Sequence, residues 1–326
     1  MPANVQSMAY YGKEPWHGLG TQVPKDLRAE EMIWAAGLDW KVELRPARGA
    51  REINRKGEFS RYEVVRVPRP NTKESEVLLG VVSRRYQPLQ NVEAFEFFDP
   101  IVGEGKAHFE TAGAIGEGQR IWVMTKMPEA MKIVRGDECF KYLLLSNSHS
   151  GDSSVIVKFT TVRVVCQNTL MLAMEDGQKA YRVRHSKQMQ FKLDELAGFM
   201  AITQKVFLNA EALFKQLAKI QMKDGRLEHY FESVFPRSPA QKKKGDKPAR
   251  WGYLQEIFET EEDLQIRGVQ GTLWAAYNTI TRFEDYKQPQ QEEQPDQRLE
   301  RVLFGGGADT KLKALTQAAE FAKSWN

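Results

Sequence analysis

The run AYRVRHSKQMQFKLDELAGFMAITQKVFLNAEALFKQL, Ala180 to Leu217, changes its hydrophobic period partway along, and that change decides the fold class. From Ala180 to Arg184, apolar residues alternate with arginines, the period-two pattern of a half-buried strand. From Leu193 the seam continues at Leu196, Met200, Thr203, Phe207, Ala210, Phe214 and Leu217, in steps of three and four. That spacing predicts one helix of about seven turns at about 3.6 residues per turn.

Upstream of the change, strand signals dominate. Trp40 to Leu44, Arg61 to Val67, Val77 to Val82, Gln119 to Lys126, Phe140 to Leu145 and Ser154 to Phe159 are rich in valine, isoleucine and aromatics, with glycine, proline or asparagine between them. One helix is expected from Asp26, as its cap, to Gly37; a second runs from Asn91, also a cap, to Val102; a third begins near Thr169. Downstream, Arg226 to Phe235, Ala249 to Phe258, Thr260 to Tyr286 and Thr310 to Trp325 read as helices. The expected architecture is α+β: a β-rich, mostly antiparallel domain over 1–187 with short helices, then a helical domain over 188–326. Polar linkers are expected near 238–247 and 288–297.

Hydrophobic residues at 41% and charged residues at 28% are globular usage, which excludes a disordered chain. Cys139 and Cys166 make no CxxC spacing, so neither a disulfide framework nor a zinc motif is indicated. No apolar run reaches membrane-spanning length and no signal peptide is legible at the N-terminus, so a cytoplasmic protein without membrane association is expected. A net charge of +4 permits a polyanionic partner without requiring one, so the distribution of cations carries the argument.

No Walker loop or complete dinucleotide fingerprint occurs, and His17, His108, His149 and His185 lack metal-ligand spacing; no cofactor or metal is expected. Ser146 to Ser154 is a dense polar stretch that reads as an exposed hairpin turn, with Ser148 and His149 available to phosphates. Cations ride strands further on: Arg163, then Lys179, Arg182, Arg184 and Lys187, with Arg182 and Arg184 on one strand face. Arg84 and Arg85 add to them, and Trp16 and Tyr86 are candidates for stacking on bases.

Several motifs run through most of the chain: Trp16-His17-Gly18-Leu19-Gly20, Tyr86-Gln87-Pro88-Leu89-Gln90-Asn91, Ser146-Asn147-Ser148-His149-Ser150-Gly151, Val162 to Leu170, and Gly271 to Asn278. With these the chain resembles the phage/plasmid-like proteins of unknown function (domain of unknown function 932 type), spread by lateral transfer among phages, prophages and plasmids. The resemblance implies a mobile-element setting and brings no catalytic residue set. The layout is similar to that of single-strand annealing recombinases, an analogy of layout alone. The expected function is single-stranded DNA binding or annealing by a homo-oligomer, without catalytic residues. The alternatives are an enzyme acting on nucleic acid or a host molecule through a cleft at His149, Asp152 and Arg163, or a host-takeover or virion interaction protein.

Overall fold

A computed structural model describes residues 5–12, 20–47, 61–68, 74–163, 169–171, 180–198, 200–223, 225–287, 301–302 and 305–325. Twelve strands are assigned among them: β1 (Val5–Tyr11), β2 (Thr21–Val23), β3 (Lys41–Pro46), β4 (Arg61–Val67), β5 (Val77–Ser83), β6 (His108–Ile115), β7 (Arg120–Lys126), β8 (Met131–Val134), β9 (Asp137–Ser148), β10 (Val155–Arg163), β11 (Thr169–Met171) and β12 (Tyr181–Val183). The large sheet runs β11-β10-β9-β7-β6-β1-β2, with β12 pairing β10 and β8 pairing β9; β3-β4-β5 form a separate small sheet. The β1–β2 pair is parallel and every other pair is antiparallel. The fold is α+β as expected.

Helices concentrate in the second half. In the first are α1 (Ala29–Ala35), α2 (Asn91–Glu96) and α3 (Asp99–Val102). Then come α4 (Met189–Gly198), α5 (Met200–Leu217), α6 (Arg226–Val234), α7 (Pro239–Lys244), α8 (Ala249–Thr260), α9 (Leu273–Arg282) and α10 (Gly306–Ser324).

The run Tyr142 to Leu145 shows why the sheet sits inside. Leu143 and Leu145 join Val157 and Phe159 in the main core, while Leu144 joins Met8, Tyr10, Trp122 and Val302 on the other face. A strand apolar on both faces needs cover on both, and a continuous hydrophobic run replaces alternation. The main core continues past residue 187 into the helices. Phe207 of α5 packs edge-on against Phe159 at 5.6 Å, and Phe214 lies 4.6 Å from Trp274. Trp274 donates from Nε1 to Asp137 at 2.7 Å, tying the buried helix α9 to the start of β9.

Several expectations are corrected. Asp26 does not cap α1; the cap is Arg28, whose backbone N–H donates to the Glu31 carboxylate at 2.8 Å. Gln90, not Asn91, caps α2, and the expected helix to Val102 breaks into α2 and α3. Thr169 opens the strand β11 instead of a helix. Residues 238–247 are polar and largely exposed, and Ser238 and Gln241 form a reciprocal cap that starts the short helix α7 within them. Thr260 to Tyr286 is interrupted before α9, where Gly268 and Gly271 turn the chain at positive φ. The one helix expected along the seam from Leu193 to Leu217 is two, α4 and α5, with Leu193, Phe207, Phe214 and Leu217 buried. The linker near 288–297 lies outside the described residues.

Candidate functional site

The stretch read as an exposed turn is mostly interior. Strand β9 extends to Ser148, and Ser146, Asn147, Ser148 and His149 are all buried. Two elements close over them. β5 meets the β9–β10 turn so tightly that a Cβ on Gly80 would lie 2.5 Å from the Ser150 carbonyl oxygen. From the other side, α2 presents Asn91, whose Oδ1 accepts from His149 Nε2 at 2.9 Å while its Nδ2 donates to the Leu38 carbonyl at 2.8 Å. Because the Asn91 Oδ1 can only accept, the His149 proton resides on Nε2. Trp40 meets the imidazole edge-on at 5.3 Å. Burial, with His185 nearby, pushes the His149 imidazole down to about 3, so it is neutral at working pH.

With His149 buried, it does not line an open cleft with the exposed Asp152. Asp152 is exposed, accepts from the Ser148 hydroxyl at 2.5 Å and lies 3.7 Å from Arg120. The backbone of Arg163 ends β10, and its side chain lies outside the described residues, as do Lys179 and Trp16. Ser148 and His149 are withdrawn as phosphate contacts, since neither reaches solvent.

Tyr86 is withdrawn as a free stacking surface for the same reason. Its hydroxyl donates to the Ser148 carbonyl at 2.9 Å, and its ring stacks on His185 at 4.5 Å and 25°. Burial, then the charge of Asp152, raises the phenol above its ordinary value. The backbone joins the same place: Gln87 N–H donates to the His185 carbonyl at 3.3 Å, and His185 Nδ1 meets the Gln87 carbonyl at 3.1 Å. This junction brings two basic segments together. Arg84 and Arg85 precede Tyr86, Arg184 and Lys187 flank His185, and all four are exposed. Arg182 is exposed and in register with Ile156 of β10, while its neighbour Val183 is buried, as the alternation requires.

Farther along β10, Lys158 is buried and pushed down to about 7, first by burial, then by Lys311 and Arg182, against the pull of Asp309. Lys311 itself bonds Asp285 at 2.6 Å with both groups buried. Sequence reading passed over these interior charges and the Tyr86–His185 contact. Tyr86 and His185 stand 99 residues apart and Lys311 and Asp285 stand 26 apart, and no local spacing signals either pair.

Comparison with curated proteins and with solved structures yields no match. A family model covers residues 78–303, from β5 through the Tyr86–His185 junction, the His149 cluster and α9. By that match the chain belongs to the family described as Domain of unknown function (DUF932).

Proposed function

We propose that this is a phage- or plasmid-borne cytoplasmic protein that binds single-stranded DNA, coating or annealing strands in recombination or DNA maintenance as an assembly of copies. One observation carries the reading: the Tyr86–His185 stack holds together two segments that carry exposed Arg84, Arg85, Arg184 and Lys187, with exposed Arg182 in the adjoining strand. Cations held by a rigid junction neutralise phosphates at little ordering cost, and phosphate contacts supply most sequence-independent affinity. With Tyr86 buried, Trp16 is the remaining stacking candidate of this reading, and it would favour unpaired bases.

The test is fluorescence anisotropy of a labelled single strand across a salt series. Each phosphate contact contributes about 0.7 to the slope of log affinity against log salt. Arg182→Ala with Arg184→Ala should weaken binding to any sequence and lower the slope by roughly one to two units, and Arg84→Ala with Arg85→Ala should do the same. Wild-type protein that fails to bind at low salt, or double variants that match it throughout, would sink the reading.

A further inference from the structure

Two exposed faces of this chain are complementary in charge, and each carries an exposed aromatic. The first is built by α1, α2 and α3. Their sequences contain Glu30, Glu31, Glu93, Glu96 and Asp99 and no basic residue. α1 packs on α2, and Glu30 and Asp99 line one surface depression together with Arg28, which pairs with Glu31 at 3.8 Å. Trp34 of α1 is 69% exposed and Val92 of α2 is 46% exposed. Trp34 stands one turn from Glu30 and Glu31, so the indole projects from the acidic face itself. Single exposed apolar residues are ordinary, whereas an indole exposed to this extent leaves a large apolar surface in water.

The second face is built by α7 and the start of α8. Glu232 engages Arg237 at 2.6 Å and Lys242 at 3.6 Å, and Glu228 engages Lys247. Lys243 and Lys244 point to solvent at the end of α7. Arg250 and Tyr253 follow at helical spacing on α8, and Tyr253 is 45% exposed. Asp246, just after α7, and Glu256, one turn past Tyr253, are exposed acids on the same segment, so the face carries a net positive charge and not an unbroken one.

We infer that the acidic α1–α2 face of one copy docks on the basic α7–α8 face of the next, with Trp34 as the apolar anchor. Buried aromatics at the centre of a charged rim are the usual energetic core of an interface, and opposite potentials set its register. The two faces are different surfaces, so the contact is head-to-tail and propagates into a ring or a filament. It deepens the assembly of copies in the proposed function and uses none of the residues assigned to DNA, so loss of self-association with DNA binding intact would sink this contact alone.

The test is light scattering on the full chain, without nucleic acid, over a concentration series at low and high salt. Wild type should gain mass with concentration, less so at high salt, where exposed charges are screened. Trp34→Ala, or Lys243→Glu with Lys244→Glu, should each raise the dissociation constant of self-association by at least about tenfold, the loss of one anchor or one charge pair set. All three positions are exposed, so the fold is retained, and unchanged thermal unfolding verifies it. Each variant keeps one intact face. Mixing the two should therefore give a dimer that cannot grow, in which the acidic face of the lysine variant meets the basic face of the Trp34 variant. A strictly monomeric wild type overturns the inference. So does assembly that ignores both variants, or that responds to Trp34→Ala alone, which would mean the acidic face pairs with itself.

Discussion

Gly80→Ala tests the closure of the small sheet over the β9–β10 turn, on which the burial of His149 depends. A Cβ at Gly80 would lie 2.5 Å from the Ser150 oxygen, 2.6 Å from its Cα and 2.8 Å from its carbonyl carbon. Ordinary contact is about 3.5 Å, so two backbones must separate by roughly 1 Å. No flexible side chain can yield, and the cost falls in the upper part of the range for overpacking, about 2–3 kcal/mol. Alanine recovers about 0.5–1 kcal/mol by restricting the unfolded chain, leaving a net loss of about 1–2.5 kcal/mol. At roughly 2 °C per kcal/mol for a chain of this size, thermal unfolding should move down by about 2–5 °C. Gly252→Ala is the matched control. Gly252 is exposed within α8 with nothing within 4 Å of its added Cβ, so alanine should stabilise by about 0.5–1 kcal/mol. The assay is thermal unfolding followed by circular dichroism, both variants beside wild type. Gly80→Ala as stable as wild type would refute the reasoning, because the turn would then not rest on β5.

Three further outcomes are expected. With its folded-state value near 3 against an ordinary 6.5, His149 is protonated only in the unfolded chain between those values, so stability falls as pH drops through that window; His149→Gln should flatten the pH dependence of the urea midpoint, and an unchanged slope would contradict the buried neutral imidazole. Glu284 has the opposite sign: burial raises it from 4.5 to about 7, against Arg301 and Lys311, so the native state holds the extra proton and the stability it contributes is lost as pH rises from about 4.5 to 7. Glu284→Gln should remove that loss, read as the change in unfolding midpoint between pH 5 and 7. Lys311→Met leaves Asp285 buried without its ammonium partner and should cost about 3–5 kcal/mol in denaturant unfolding, and adding Asp285→Asn should recover much of it; equal losses in the single and double variants would show that the pair is not a unit.

The sequence by itself determined the α+β class, β4 to the residue, most of β3, β5, β7 and β10, and the helical second half, because each rests on periodicities that act within a few residues. It also marked Arg84, Arg85, Arg182, Arg184 and Lys187 as surface cations, since long charged side chains rarely bury. Only the tertiary structure decided the rest. Strand β6, HFETAGAI, carries little β propensity because its small residues answer to a neighbour: a Cβ on Gly113 would lie 2.4 Å from the Trp122 ring. Serine, asparagine and histidine at 146–149 are turn-formers by local preference, yet they are buried because β5 and α2 close over them and supply partners such as Asn91, 58 residues away. Tyr86 and His185 likewise meet only once the chain has folded through the large sheet. Local preference selects an element's type, whereas burial depends on which distant surfaces meet, and that is a property of the whole packed chain.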